Sequence, residues 1–218
     1  MRQHEIECDL TDRPAVSYAE TPEGLEDLRM ELEAMTDAGL PGVLDNNSEL
    51  PFPVTGALRL DHQAQFNPVA WTRGVASAVG EMGGLVFEES RVVGVNGLRG
   101  PRSIQLENGT SIEAGRIVLA THMPILDRAA YFARLRPMSS FAVAGPLNGP
   151  LPRGMYLSVD GPTRSISPVP GQDGTERLLV GGEGFRPGTR DSGESLTRLS
   201  EYFGRRFVFD AKGNADSG

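Results

Sequence analysis

The residues best able to do chemistry stand at the end of one apolar run. In "GRIVLATHMP", residues 115–124, Ile117, Val118, Leu119 and Ala120 form a short stretch suited to a buried strand, and Thr121 and His122 follow directly. A hydroxyl and an imidazole at the C-terminal end of a core strand have two readings. Either the strand surfaces there into a loop, or the pair faces a polar ligand, since open α/β sheets bind ligands at that end. Other reactive groups are scattered. The histidines are His4, His62 and His122, none at i, i+4 spacing, and Cys8 is the single cysteine. They assemble neither a zinc cage nor an internal disulfide, so no metal site is expected. Ser139, His122 and Asp127 could be drawn as a hydrolase triad, but any chain of this length offers three such residues, and no G-x-S-x-G elbow accompanies them. "GGEGFRPG" (181–188) is glycine-rich, yet it lacks dinucleotide-loop spacing and follows a strand without opening a helix. It reads as a turn with close backbone packing. Glu88-Glu89 reads as a solvated pair.

These residues need elements to position them. Residues 1–20 read as a strand or two, with "AVSYA" (15–19) as one. Thr21-Pro22-Glu23 announces a helix: a capping hydroxyl, a proline at the first position and an acid in the first turn. Leu25, Leu28, Leu32 and Met35 give it one apolar face, and Gly39 ends it. "LPFPVTGALRL" (50–60) is extended because of its prolines. Asn67-Pro68 opens a second helix, whose Trp71, Val75, Ala78 and Met82 form a face for core packing and whose end is Gly83-Gly84. "LVFEESRVVGV" (85–95) predicts one or two strands, Asn96-Gly97 a turn, and Asn108-Gly109 a hairpin between alternating strands. "RIVLAT" then returns as a buried strand. Helix, strand, hairpin and strand in this order suggest half of a parallel α/β sheet with a hairpin layer across it. Beyond Pro124, residues 135–147, 155–159, 163–170 and 177–185 predict an antiparallel sheet. "ESLTRLSEYFGRRF" (194–207) predicts a helix with Leu196, Leu199, Phe203 and Phe207 on one face.

The bulk composition limits the function. The chain has 218 residues, enough to bury a sizeable core, with 39% hydrophobic and 23% charged residues. Its net charge of −8, with no basic stripe, argues against nucleic acid and against an anionic membrane surface. No run approaches the ~18 apolar residues of a membrane span, and the N-terminus has no apolar signal region. One cysteine fits a reducing, cytoplasmic setting.

Five stretches carry a family resemblance: "LPFPVTGALRLDHQAQFNPVAW", "GGLVFEESRVVGV", "GRIVLATHMPILDRAAYFARLRPMSSFAVA", "GMYLSVDGPTRSISPVP" and "LLVGGEGFRPG". In order and spacing they resemble the middle of flavoproteins of the D-amino-acid oxidase and glycine oxidase superfamily, the DAO-type FAD-dependent oxidoreductases. Within it they are most similar to bacterial members with an added C-terminal Rieske domain. The resemblance implies a mixed α/β fold in which a partial, Rossmann-like FAD domain is interleaved with an antiparallel-sheet substrate domain. Residues 1–60 would be the first part of the substrate domain and 61–125 the central part of the FAD domain. Residues 126–209 would be the antiparallel sheet with its helix, and 210–218 a flexible tail. It also implies oxidation of a C–N bond in an amine or amino acid, by hydride transfer to flavin.

The same resemblance implies site residues. Ala120, Thr121 and His122 would lie beside the flavin's diphosphate or ribityl chain, His122 replacing the family's usual glycine. Val92 is either the position whose backbone meets the adenine or a plain core residue. On the substrate side, Ser165 stands where the oxidases place a carboxylate-binding tyrosine, and Ser167 where the subgroup often has arginine. Tyr156 and Arg164 are nearby alternatives, arginine being suited to bidentate carboxylate binding. No catalytic residue is assigned. The family's opening G-x-G-x-x-G and its closing flavin segment are not found, so the chain reads as a fragment that does not hold FAD tightly alone. A Rieske cluster needs two Cys and two His and would lie in a further domain. Apolar surface left uncovered would favour a homodimer. The alternative is a non-catalytic binding or scaffold module derived from such a flavoprotein.

Overall fold

The computed structural model describes residues 6–97, 101–122, 131–147, 149–171, 174–188 and 192–207. In chain order the elements are β1 (Thr11–Ala19), α1 (Pro22–Asp37), β2 (Val43–Asp45), β3 (Gly56–Gln65), α2 (Pro68–Glu81), β4 (Val92–Asn96), β5 (Arg102–Leu106) and β6 (Ser111–Ala114). They continue as α3 (Tyr131–Arg134), β7 (Ser139–Gly145), β8 (Met155–Ser158), β9 (Ser165–Pro170), β10 (Glu176–Phe185) and α4 (Ser192–Phe207). The chain divides into two compact units: Met1–Ile6 with Val69–Arg136, the hairpin unit, and Glu7–Pro68 with Pro137–Gly218, the sheet unit. The boundary expected after residue 60 would fall inside β3.

The sheet unit holds seven strands in the order β2-β3-β1-β8-β9-β10-β7. All pairs are antiparallel except β1 with β8, where Val16 faces Tyr156 in parallel register. The antiparallel sheet expected from residues 135–185 is thus one side of a larger mixed sheet. Strand alternation sorts its residues. Val16, Tyr18, Tyr156, Ile166, Leu178 and Val180 point to one face and are buried there with Leu199, Phe203 and Phe207 of α4. Leu196, expected on that face of α4, is 42% exposed. On the reverse face of β1 and β3, Ala19 and Leu58 meet Leu28 and Met35 of α1. That helix starts as its sequence dictates: the Thr21 side chain accepts a hydrogen bond from the Gly24 N–H at 3.0 Å, and Pro22 follows the cap. Gly39, at φ +72°, leaves the helix in the left-handed region that glycine favours. Further along the reverse face, over β8, β9 and β10, Leu157 and Ser165 are exposed.

The hairpin unit contains α2, α3 and the antiparallel sheet β4-β5-β6. The Asn108-Gly109 turn joins β5 to β6 as expected, with Gly109 at φ +84°. Other expectations fail in this unit. Residues 85–91 form no strand, and Leu85, Val86 and Phe87 are all exposed. "RIVLAT" forms no strand either; Val118 is 87% exposed. A buried strand needs neighbours on its edges and apolar cover on its faces, and no described strand pairs with these residues. On α2 only Ala78 is buried, while Trp71 and Met82 are exposed rather than in a core. Asp127 and the 210–218 tail lie outside the described residues.

Candidate substrate cavity

A cavity of about 940 Å³ opens on the uncovered face of the large sheet, within the sheet unit. Its wall includes Arg13 of β1, Gln65 of β3, Ser165 and Ser167 of β9, and Glu176 and Leu179 of β10. Ser165 and Ser167 reach it because they alternate with Ile166 and Pro168, which face the core. Gly181 pairs with Ser165 across the ladder, and a Cβ at Gly181 would lie 2.5 Å from the Ser165 hydroxyl oxygen. Glycine there leaves room for the serine on the cavity floor. At the far end, Gln65 Nε2 donates to the Pro168 carbonyl at 2.7 Å, linking the end of β3 to β9.

The charged groups of the cavity are partly satisfied: the buried Arg13 Nε has no partner among the described residues, and Asp9 is exposed. Arg13 donates to Glu176 Oε1 at 2.9 Å and to the Arg153 carbonyl at 3.1 Å. Asp9 sits at φ +54°, and its carboxylate is approached by Asn67 Nδ2 at 3.5 Å. Sequence reasoning missed Arg13, Gln65 and Asp9. Arg13 and Glu176 lie 163 residues apart, and no local pattern marks either as a partner.

The structure does not bring Arg164 to this cavity. Its neighbour Ser165 faces the open side, so Arg164 points to the α4 side, where its side chain is 7% exposed. There it donates to Glu183 Oε1 at 2.5 Å, while Arg198 of α4 donates to Glu183 Oε2 at 2.9 Å. Glu183 reaches that side through an irregularity in β10, where its φ is +53° and the register with β7 shifts. Burial would raise the Glu183 carboxyl, but hydrogen bonds from Arg198 and Arg164 outweigh it and hold the group below its ordinary value. Tyr156 also lines the cavity, but its hydroxyl donates to Glu49 Oε2 at 3.2 Å. Burial, then the Glu49 charge, pushes that hydroxyl up to about 12. The Tyr156 hydroxyl and the Arg164 guanidinium ends are therefore held within the fold, although the buried Arg164 Nε has no partner among the described residues, whereas Ser165 and Ser167 face the cavity.

The expected cofactor residues lie in the hairpin unit. Val92 is half-buried in β4, opposite Leu106. Ala120, Thr121 and His122 are exposed and outside any strand, with His122 at φ +59°.

The chain matches the FAD dependent oxidoreductase family, DAO, over residues 1–213. It belongs to that family. A Bacillus subtilis (strain 168) protein, named provisionally as a Rieske 2Fe-2S iron-sulfur protein, is 26% identical over 166 residues, covering 75% of this chain and 32% of that protein. Glycine oxidase from Bacillus cereus ATCC 14579 superposes with a TM-score of 0.73 at 13% identity, over 94% of this chain and 58% of that one. Glycine oxidase from Geobacillus kaustophilus gives 0.72 at 19% identity, over 94% and 57%. L-Proline dehydrogenase from P. horikoshii gives 0.69 at 16% identity, over 94% and 58%. At these identities the solved structures establish the DAO fold. The chain spans about a third of the curated relative and under three fifths of these solved structures.

The cofactor of DAO proteins is FAD. A diphosphate needs fixed positive charge or several converging backbone N–H groups. Val92, Ala120, Thr121 and His122 offer one hydroxyl, one imidazole and a backbone that no strand holds beyond β4. By themselves these four residues do not fit a diphosphate.

Proposed function

We propose that this chain supplies the substrate-holding sheet, and a central part of the flavin domain, of a longer oxidoreductase that oxidises a C–N bond in an amine or amino acid. The observation that supports this most is the open-face cavity of a DAO-family sheet, with Ser165 and Ser167 presented into it. The substrate would lie against these two serines and the Tyr156 backbone. Hydride passing to FAD is the matching reaction class, since glycine oxidases and an L-proline dehydrogenase are among the folds that superpose. Val92, Ala120, Thr121 and His122, which do not fit a diphosphate by themselves, are proposed as one edge of a flavin site whose diphosphate contacts come from other segments of the longer protein. The Rieske name of the Bacillus subtilis relative supports a Rieske domain elsewhere in the longer protein. A cytoplasmic location belongs to the same proposal; among the described residues no helix is long and apolar enough to cross a membrane.

The test uses the longest polypeptide encoded around this sequence, purified and held without oxygen. Adding amines and amino acids in turn should bleach its flavin absorbance with at least one of them. The present chain, incubated with FAD and desalted, should retain none. A longer polypeptide that takes up no flavin would overturn the enzyme reading in favour of a non-catalytic binding module.

A further inference from the structure

We infer that Glu49, which stands outside the open-face cavity, is a positioning residue for it: Glu49 fixes the Arg153 backbone, whose carbonyl aims Arg13, the cavity's one guanidinium among the described residues. The inference deepens the reading of that cavity as the substrate site. It rests on that reading only for what Arg13 would meet there.

Arg13 owes its aim to its neighbour. Pro14 has no N–H to give a strand ladder, and the register of β1 with β3 shifts between Arg13 and Ala15. An irregularity of this kind re-aims the side chain beside it. Arg13 then donates Nη1 to the Arg153 carbonyl at 3.1 Å and Nη2 to Glu176 Oε1 at 2.9 Å, while its buried Nε has no partner among the described residues. Two bonds therefore hold the guanidinium. The Glu176 side chain is 56% exposed and free to follow the arginine, so the Arg153 carbonyl is the fixed end.

That carbonyl is fixed only as well as its loop. Residues 149–154 form no helix or strand, and the carboxylate of Glu49 supplies the hold instead. Glu49 Oε2 accepts from the Arg153 N–H at 2.6 Å and from the Tyr156 hydroxyl at 3.2 Å, and Oε1 accepts from Arg153 Nε at 3.3 Å. The Arg153 side chain is 83% exposed, so the backbone bond carries more of the hold than the ion pair. Burial would raise the Glu49 carboxyl, but the Arg153 N–H and side chain, the Tyr156 hydroxyl and the Gly154 N–H outweigh it and keep the group below its ordinary value. Glycine at 154 lets this turn lie against the Tyr156 ring, since a Cβ there would be 2.9 Å from a ring carbon. Glu49 is anchored in turn by its neighbour Leu50, buried in the core on the α4 side. The line of contacts from Leu50 through Glu49, Arg153 and Arg13 to Glu176 joins four distant segments of the chain at the cavity wall.

The experiment follows the side-chain Nε–H NMR signals of arginines in this chain. The Nε groups of Arg13 and Arg164 are both buried, and Arg164, held by Glu183 on the α4 side, is the internal control. Glu49→Ala should shift the Arg13 signal and speed its exchange with water about fivefold, the scale of one net hydrogen bond, and leave the Arg164 signal in place. Glu49→Gln keeps an acceptor for the Arg153 N–H and should bring the Arg13 signal back toward wild type. If Glu49→Ala does not fold, Glu49→Asp, which keeps the charge and withdraws the oxygens by one methylene, should move the Arg13 signal in the same direction. An Arg13 signal unmoved in the folded variant, or Arg13 and Arg164 signals that change together, would overturn the inference. In the longer polypeptide the same variant should raise the half-saturating concentration of the substrate that bleaches the flavin and leave the rate at saturation unchanged. An unchanged half-saturating concentration beside a moved Arg13 signal would overturn the role of Glu49 in the site. Bleaching by no substrate would overturn the cavity reading, while the NMR signals still decide whether Glu49 positions Arg13.

Discussion

The two units of this chain treat the same kind of residue differently. In the sheet unit, Tyr18, Ile166, Leu178, Leu199 and Phe207 are all at most 1% exposed, because they meet on one face of a seven-stranded sheet and α4 closes that face. In the hairpin unit, Ala78 and Leu106 are the buried apolar side chains among the described residues, while Leu85, Val86, Phe87 and Val118 are at least 60% exposed. Both units contain strand-forming apolar runs. What separates them is whether another element covers the run. Apolar patterning states what a segment would bury; only a partner makes the burial happen.

Substitutions can break or sharpen this contrast. The largest effect is expected from Phe207→Ala, which empties a site 1% exposed against Phe52, Tyr202 and Phe203. It should cost about 3–5 kcal/mol in denaturant unfolding. A loss below about 1 kcal/mol would mean that α4 does not close the core.

Next is Glu183→Gln, which leaves the buried Arg164 without its charge partner and should cost about 3 kcal/mol at neutral pH. The pH dependence has a definite sign. The folded carboxyl titrates below its ordinary value of 4.5, so its contribution is complete above that value. It is lost as pH falls through the lower folded pKa. Wild type and variant should therefore converge in stability as pH drops below 4.5, and a constant gap would sink the assignment.

The smallest effect is expected in the hairpin unit, where Val118→Ser should change stability by no more than about 0.5 kcal/mol. The same change should reduce self-association in sedimentation if the homodimer expected from uncovered apolar surface uses this face. A large destabilisation would show that Val118 is covered in solution, and the contrast between the units would fall.

Legibility in the sequence followed the range of the interactions. Thr21-Pro22 and Gly39 marked α1, and Asn108-Gly109 marked its hairpin, because caps and turns are decided within a few residues. Leu199, Phe203 and Phe207 were placed on one buried face by spacing alone. Leu196 was misplaced, since spacing says which residues share a face and not how far the neighbouring sheet extends. "RIVLAT" misled for the same reason: its composition suits a buried strand, and no described strand pairs with it.

The sequence by itself determined the start of α1, the Asn108-Gly109 turn and, through its family stretches, the DAO fold. Tertiary structure alone decided which residues line the open-face cavity. Ser165 and Ser167 reached the cavity, and Arg164 did not, because consecutive strand residues point to opposite faces and the packing of α4 chose which face became the core. Arg164 found Glu183 across 19 residues, Tyr156 found Glu49 across 107, and Arg13 found Glu176 across 163. Such pairs depend on strand order and on an irregularity in β10, which are properties of the assembled sheet rather than of any window of sequence.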